Sequence, residues 1–385
     1  MTVRRILFLS DLFRISPDNR FGVQDASTRC LAGMLGCQIA EATGIEPETW
    51  LCQGQLQAAV EETYSRAGIK ATPYGWSRLF DSNDVEVLPN ELRAFDDTLV
   101  VGTELSPLLR HAIHSTGGIY IDSHAHPVRF MDDLFLGFMS NHDKVHSALG
   151  RNAMAERQVY RAAGLLVAFS QNQMRSQLRA PAALFTAQRR LDRSLIKNGK
   201  VVDGPSLIEQ NLDVFKGYQQ IAVKSHPTEY NGAIIDMLKK SFPNTGEVKS
   251  NIYVLLSDPN VESVITVSSS TGLEARYFGR KSLFLSHEPA RYLWAGDDSE
   301  ENSFWGIYDH FLAADFWRHS LADIMNVTAP DGDVVAPKPN RLRIVFQQFW
   351  GYDAVDCETY FTHAPTYRRL TSSHAWDIFK RFLVR

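Results

Sequence analysis

The residues of this chain best suited to chemistry are a carboxylate, a lysine–histidine pair and a run of hydroxyls. Asp192 stands four residues after Gln188, Lys224 lies two residues before His226, and hydroxyl residues occupy positions 268–271. Imidazole, ammonium and hydroxyl groups donate hydrogen bonds to a phosphate or a carboxylate, and a carboxylate can act as a nucleophile. These types indicate a site for an anionic substrate.

Each of these groups follows a predicted β-strand. The strands are expected at 182–188, 220–225 and 263–268, where short apolar runs end in polar residues. In open α/β sheets the ligand binds beyond the carboxyl ends of the strands. Pro227 ends the second strand and fixes the turn that holds His226 at this edge. The three strand ends are therefore expected to converge on one crevice.

The hydroxyl run has two compatible interpretations. It opens a predicted helix at 271–278, where the first backbone N–H groups lack partners and the helix dipole favours an anion. The residues concerned are Ser268, Ser269, Ser270, Thr271 and Gly272. An N-cap box, with Thr271 as the cap and Glu274 three residues later, is the structural explanation. The segment lacks the lysine and the glycine spacing of a P-loop.

The wider pattern alternates short apolar segments with amphipathic helices, which predicts parallel sheets covered by helices. In the first half, strands are expected at 3–10, 97–102, 118–122 and 164–170, with a helix at 25–42. A second series adds a strand at 281–286 and helices at 205–218 and 230–241. The prediction is an α/β protein of two Rossmann-like domains, residues 1–180 and 181–335, with a helical tail at 336–385 that packs on the first domain.

Composition limits the classes of partner. The 385 residues are 44% hydrophobic and 22% charged, with a net charge of −4, which gives no basic field for nucleic acid. No apolar run reaches the roughly 18 residues that span a bilayer, and no signal peptide begins the chain. The four cysteines lack metal-site spacing. We expect a cytoplasmic protein without a nucleic-acid partner, at most peripheral to the inner face of the membrane.

The three motifs, in this order, resemble those of the bacterial retaining β-Kdo transferases of capsule and O-antigen assembly, the KpsC and WbbB type. That family has Gln-x-x-x-Asp after a strand, Lys-x-His-Pro, and Ser-Ser-x-x-Gly-x-Glu-Ala at a helix start. Here the motifs are Gln188/Asp192, Lys224/His226/Pro227 and Ser268/Ser269/Gly272/Glu274. The match covers mainly residues 180–285. A looser similarity in the first half points to Asp122 and Arg129, where related members have an acidic residue, often Glu, followed by an arginine.

The resemblance implies a GT-B fold that binds CMP-Kdo against the second half, without a metal or other cofactor. Asp192 would be the nucleophile of a double displacement, and Asp122, or Glu104 at the preceding strand end, would deprotonate the acceptor. That acceptor would be a glycan or a lipid-linked oligosaccharide. The remaining implied residues are Gln188 and His226 for catalysis, and Lys224, His226, Pro227, Ser268, Ser269, Ser270, Thr271, Gly272, Glu274 and Arg129 for the donor.

Three other functions remain open at this point. A sialyltransferase that uses CMP-Neu5Ac would share the His-Pro and serine motifs, and the Gln188/Asp192 element favours Kdo over it. An inactive GT-B module would bind glycans and need no carboxylate at a strand end. A metal-dependent hydrolase would use Asp122, His124 and His126, because two imidazoles at alternate strand positions share one face. The late position of that motif in the chain argues against the hydrolase.

Overall fold

A computed structural model describes residues 3–173, 176, 178–227, 229–330 and 342–343. Nearly all of the predicted tail at 336–385 lies outside the described residues. The fold is a mixed α/β structure with parallel sheets, so this part of the predicted class is confirmed. None of the helices in the described ranges is long and apolar enough to cross a membrane.

The strands and helices follow in order along the chain. The strands are β1 (Arg5–Ser10), β2 (Glu48–Thr49), β3 (Thr98–Thr103), β4 (Ile119–Ala125), β5 (Leu136–Ser140), β6 (Ala182–Thr186), β7 (Ile196–Lys197), β8 (Lys200–Val201), β9 (Gln220–Lys224), β10 (Thr245–Glu247), β11 (Val261–Thr266), β12 (Lys281–Phe284), β13 (Tyr292–Leu293) and β14 (Phe304–Ile307). The helices are α1 (Asp25–Thr43), α2 (Gly54–Arg66), α3 (Pro73–Phe80), α4 (Pro107–Ser115), α5 (Asp143–Gly150), α6 (Glu156–Gln173), α7 (Gly204–Gln210), α8 (Gly232–Ser241), α9 (Ile252–Ser257), α10 (Thr271–Tyr277) and α11 (Ala314–Leu321). Short 3-10 turns occupy Val85–Val87, Asn90–Leu92, Arg193–Leu195, Leu212–Phe215 and His310–Leu312.

The first sheet has the strand order β13-β14-β5-β4-β3-β1-β2. Its central strands are parallel and buried on both faces, which explains their continuous apolar sequences. Along β1, Ile6 and Phe8 enter the core on one face, whereas Leu7 and Leu9 enter the core on the other. This alternation follows from the two-residue period of a strand.

The second sheet is parallel throughout and has the order β10-β9-β6-β11-β12. In β6, Ala182 and Leu184 face one core and Ala183 and Phe185 face the other. Because all five strands run in one direction, their carboxyl ends lie along a single edge. The polar segments after β6, β9 and β11 therefore meet there, as the sequence predicts.

The strand expected at 164–170 is wrong, because these residues lie within the long helix α6. Val159, Ala162, Ala163 and Leu166 are buried at helical spacing, whereas Leu165 between them is exposed. A short apolar run does not by itself separate a buried strand from a buried helix. The helix expected at 205–218 is divided into α7 and the 3-10 turn Leu212–Phe215.

The chain returns to the first sheet after completing the second. Strand β14 pairs with β5 in the antiparallel sense, joining Trp305 to Phe138, and β13 pairs with β14. Helix α11 then packs beside α1 in the core of the first sheet. Residues 292–321, which the sequence division places in the second domain, therefore add β13 and β14 to the first sheet and α11 to its core.

Candidate active site

A cavity of about 670 Å³ lies where the carboxyl edges of the two sheets face each other. This volume lies in the range of small-molecule sites. The first half contributes residues that follow β3 and β4, and the second half contributes the segments after β6, β9, β11 and β12. The candidate residues that line it are Arg129, Gln188, Asp192, Lys224, His226, Pro227, Ser268, Ser269, Ser270, Thr271 and Glu274.

Gln188 makes hydrogen bonds that join the segments after the strands of the second half. Its Oε1 accepts a hydrogen bond from the Ser268 amide at 2.8 Å, and its Nε2 donates to Ser194 Oγ at 2.8 Å. Asn231 Nδ2 donates to the Gln188 carbonyl at 3.3 Å, and Asn231 Oδ1 accepts from the His226 amide at 3.1 Å. One glutamine and one asparagine thus fix the loops after β6, β9 and β11 relative to one another.

Asp192 is held by the turn that it begins. Its Oδ1 accepts from the Ser194 amide at 2.9 Å and from Ser194 Oγ at 2.8 Å. Within the described ranges, Oδ2 has no hydrogen-bond partner, and the residue lines the cavity. One carboxylate oxygen is therefore used to orient the side chain, which leaves the other for a ligand. The negative charge of Asp192 also acts on His226, raising its pKa against the larger lowering caused by burial.

The hydroxyl run presents several donors to the cavity. Ser268 Oγ donates to the Ser194 carbonyl at 2.5 Å, and Ser269 Oγ lies 3.2 Å from Thr271 Oγ1. Ser270 precedes α10 without making a side-chain cap. α10 has only seven residues, and its Gly272 and Leu273 amides already donate to the Ser269 and Ser270 carbonyls at 3.0 and 2.9 Å, so the hydroxyls are the candidate donors. Across the cavity, burial lowers the pKa of Lys224, whose Nζ donates to the Lys249 carbonyl at 3.2 Å.

Gly272 does not line the cavity and serves packing instead. A Cβ at this position would lie 2.5 Å from Phe284 Cζ and 3.2 Å from Thr266 Cγ2. Any larger residue here would require Phe284 to move, so the glycine allows α10 to pack closely against β11 and β12.

Glu274 joins the two halves of the chain. Its Oε1 accepts a hydrogen bond from the Arg129 amide at 2.8 Å and another from the Tyr253 hydroxyl at 2.7 Å. The Arg129 carbonyl in turn accepts from Arg343 Nη2 at 2.6 Å. Only 3% of Glu274 is exposed, and burial raises the pKa of its carboxyl from 4.5 to about 7, although both hydrogen bonds oppose the shift.

This raised pKa predicts a pH-dependent stability. Because the folded protein holds the Glu274 proton more tightly than the unfolded chain, the free energy of unfolding falls as pH rises from about 4.5 to about 7. Glu274→Gln cannot ionise and should lose this dependence, so its stability relative to wild type should rise by up to roughly 3 kcal/mol across the interval. Urea unfolding at pH 5 and pH 8 measures the difference. Glu262→Gln, at an exposed carboxylate, is the control, and an identical change in both variants would contradict the assignment.

Asp122 and Glu104 are placed differently by the structure. Asp122 is fully buried, does not line the cavity, and accepts the Leu105 amide on Oδ1 at 3.0 Å. Burial raises the pKa of its carboxyl. Glu104 lines the cavity and has a φ of +53°, a left-handed conformation that is uncommon for a non-glycine residue. Its carboxylate lies 3.5 Å from Arg14 Nη1 and accepts from Gln24 Nε2 at 3.2 Å.

The two histidines of the metal-site alternative are packed among aromatic rings. His126 stacks on Phe135 at 4.1 Å between ring centroids, and His124 lies 4.1 Å from Phe304 and hydrogen-bonds the Tyr292 hydroxyl. Burial lowers the pKa of both imidazoles well below the usual value. The described residues contain no group of three His, Cys, Asp or Glu side chains placed to hold a metal.

Several residues of the site were not assigned to it from sequence. Ser194 and Asn231 make the hydrogen bonds that join the loops, and each has a local signal, since Ser194 follows Asp192 by two residues and Asn231 precedes a helix. Arg110 and Arg193 line the cavity as cations. Arg193 lies over the Phe80 ring, 5.5 Å from its centroid.

Comparisons with known proteins give limited similarity. No family model matches the chain, and no curated protein matches it. Among solved structures, the KpsC β-Kdo 2,7 transferase of Thermosulfurimonas dismutans is 10% identical with a TM-score of 0.35, over 83% of this chain and 90% of that one. The KpsC β-Kdo 2,4 transferase of the same organism is 14% identical with a TM-score of 0.30, over 57% of this chain and 78% of that one.

Proposed function

We propose that this protein is a glycosyltransferase of GT-B architecture that transfers Kdo from CMP-Kdo to a glycan or lipid-linked acceptor. The observation that carries the proposal is the cavity itself. Asp192 lines this cavity together with the hydroxyl run and the Lys224–His226 pair, and among the described residues one of its carboxylate oxygens has no hydrogen-bond partner. A nucleophile beside donors for a departing phosphate is the arrangement that glycosyl transfer from a nucleotide sugar requires.

The donor site is proposed along the second sheet. Ser269, Ser270 and Thr271 would donate to the phosphate of the nucleotide, while Lys224 and His226 would bind the phosphate or the sugar carboxylate, Lys224 as a cation and His226 as a hydrogen-bond donor. The choice of CMP-Kdo is supported by the order of the Gln188/Asp192, Lys-x-His-Pro and serine motifs. Since Glu274 bonds Arg129 and Tyr253, its part is to hold the first half against this donor site.

The proposed reaction proceeds by two inversions. Asp192 Oδ2 attacks the anomeric carbon as the bond to the CMP oxygen breaks, and the oxygen leaves with its electron pair. The acceptor hydroxyl then attacks the glycosyl-aspartate, releases the carboxylate and gives its proton to a base. The configuration is retained. Hydroxyl and cationic side chains would stabilise the leaving phosphate without a metal.

Glu104 is the better placed of the two candidate bases, because it lines the cavity whereas Asp122 does not. Glu104→Gln is expected to lower the rate of transfer by about 100-fold or more, the usual contribution of a general base. CMP affinity should remain within about twofold, since none of the proposed donor contacts involves Glu104. The measurement is transfer to an acceptor glycan beside CMP titration. A normal transfer rate, with a large loss in folded Asp122→Asn, would return the role to Asp122.

The function is tested by titrating CMP-Kdo and CMP-Neu5Ac into the purified protein and following CMP release with and without EDTA. Tight binding of CMP-Kdo with slow, EDTA-insensitive release of CMP is the expected result. Preference for CMP-Neu5Ac would indicate a sialyltransferase. Binding of neither donor would contradict the transferase proposal, and loss of activity with EDTA would contradict its metal independence.

A further inference from the structure

A short hairpin links the turn of Asp192 to the opposite half of the molecule. Strands β7 and β8 pair Ile196 with Val201 and Lys197 with Lys200, and we call residues 196–201 the strap. Asn198 and Gly199 at its tip have φ values of +52° and +70°. This is the conformation of a tight two-residue hairpin turn, for which Asn-Gly is the preferred sequence. The strap is therefore a defined local structure.

The tip of the strap is bound by helix α3 of the first half. The Gly199 amide donates to Asp81 Oδ2 at 2.9 Å, and Ser77 Oγ donates to the Gly199 carbonyl at 3.3 Å. Both backbone groups of one glycine are thus satisfied by side chains from the other half. Asp81 follows the last residue of α3, so its position is set by a helix packed in the first core.

The base of the strap lies at the boundary between a hydrophobic core of the first half and a hydrophobic core of the second half. Leu195 is buried in the second-half core with Phe185 and Ile265, whereas Ile196, the next residue, is buried in the first-half core with Phe80. The Asp192 turn lies directly before this junction, because the Leu195 amide donates to the Asp192 carbonyl at 3.0 Å. Val202 closes the base by donating to the Leu195 carbonyl at 2.8 Å.

We propose that Asp81, acting through the strap, is a positioning residue that sets the Asp192 carboxylate relative to the first-half wall of the cavity. This inference rests on the proposed function for its kinetic consequence. The donor contacts come from the second sheet and the base Glu104 from the first. Through the strap, the segment that carries the proposed nucleophile Asp192 is hydrogen-bonded to the first half, which carries the proposed base Glu104. Its docking therefore governs the distance between nucleophile and acceptor and leaves donor binding unchanged.

The test compares three variants of the full chain. Asp81→Ala removes the acceptor of the Gly199 amide, and kcat for transfer should fall about tenfold or more, since small misplacements of reacting groups cost rate steeply. The Kd for CMP should stay within about twofold. Asp81→Asn keeps an oxygen that can accept from Gly199 and should recover most of the rate. Asp84→Ala is the matched control, because Asp84 lies three residues away and, among the described residues, its side chain accepts only from the Glu86 amide.

Hydrogen–deuterium exchange provides a readout that needs no substrate. Amides in residues 192–202 should exchange faster in Asp81→Ala than in Asp84→Ala or Asp81→Asn. Equal exchange in these three proteins, or an unchanged kcat in Asp81→Ala, would overturn the positioning role. If the wild-type protein turns over no CMP sugar, the proposed function is contradicted independently of the positioning role. The exchange result then decides the positioning role, with faster exchange supporting it and equal exchange overturning it.

Discussion

Asp192→Asn is expected to lower glycosyl transfer by about a thousandfold or more, as removal of a covalent nucleophile does in other enzymes. The asparagine Oδ1 can still accept from the Ser194 amide, so the turn after Asp192 and the hydrogen bond from Gln188 to Ser194 should persist. What is lost is the charge and nucleophilicity of Oδ2. The rate of CMP release from CMP-Kdo and the Kd for CMP are the two measurements, and only the first should change.

Asp203→Asn is a closely matched control for this experiment. Asp203 likewise accepts a hydrogen bond from an amide of the element that it precedes, here the Ser206 amide of α7 at 3.3 Å, but it is exposed and does not line the cavity. This variant should transfer at the wild-type rate. Transfer by Asp192→Asn at a rate close to that of Asp203→Asn would remove Asp192 from the nucleophile role.

The second large effect is expected from the double change Ser269→Ala and Ser270→Ala. Hydrogen bonds to a charged group contribute about 1.5–3 kcal/mol each, so losing two should weaken CMP binding by at least about 100-fold. Ser270 makes no cap, and among the described residues the Ser269 hydroxyl bonds only to Thr271, so their removal should change stability little. Calorimetric titration with CMP gives the affinity, and thermal unfolding checks the fold.

A serine on an exposed helix serves as the comparison for this double variant. Ser65→Ala, on α2 of the first half, removes a hydroxyl far from the cavity and should bind CMP as the wild type does. If the double variant also binds CMP with unchanged affinity, the phosphate lies elsewhere. Lys224 and His226 would then be the next residues to vary.

Sequence was most informative where the signal was local. The apolar runs that became β6, β9 and β11 are short and end in polar residues, and parallel strands bring such ends to one edge. The convergence of Asp192, His226 and Ser269 could therefore be predicted without knowing any contact. Helix α1 was predicted within one residue of its observed end, because its apolar spacing is regular.

The sequence was least informative about how far each side chain lies from the carboxyl edge of its sheet. Asp122 and His124 share one face of β4, but His124 is nearer the carboxyl end and lines the cavity, whereas Asp122 is buried beneath Leu105. Spacing shows which face a side chain takes and not how far it lies from the edge. The bond from Glu274 to the Arg129 amide joins residues 145 positions apart, so it depends on how the two halves pack.

The return of the chain to the first sheet determines how this protein can be divided for expression. Strand β14 covers the edge of β5 with antiparallel hydrogen bonds, and α11 covers part of the adjoining core. A fragment cut at residue 180 would leave that edge open, and an uncovered edge strand recruits other chains and aggregates. Because β14 belongs to the first sheet and ends at Ile307, that sheet can be completed only after a ribosome has synthesised the chain past this residue.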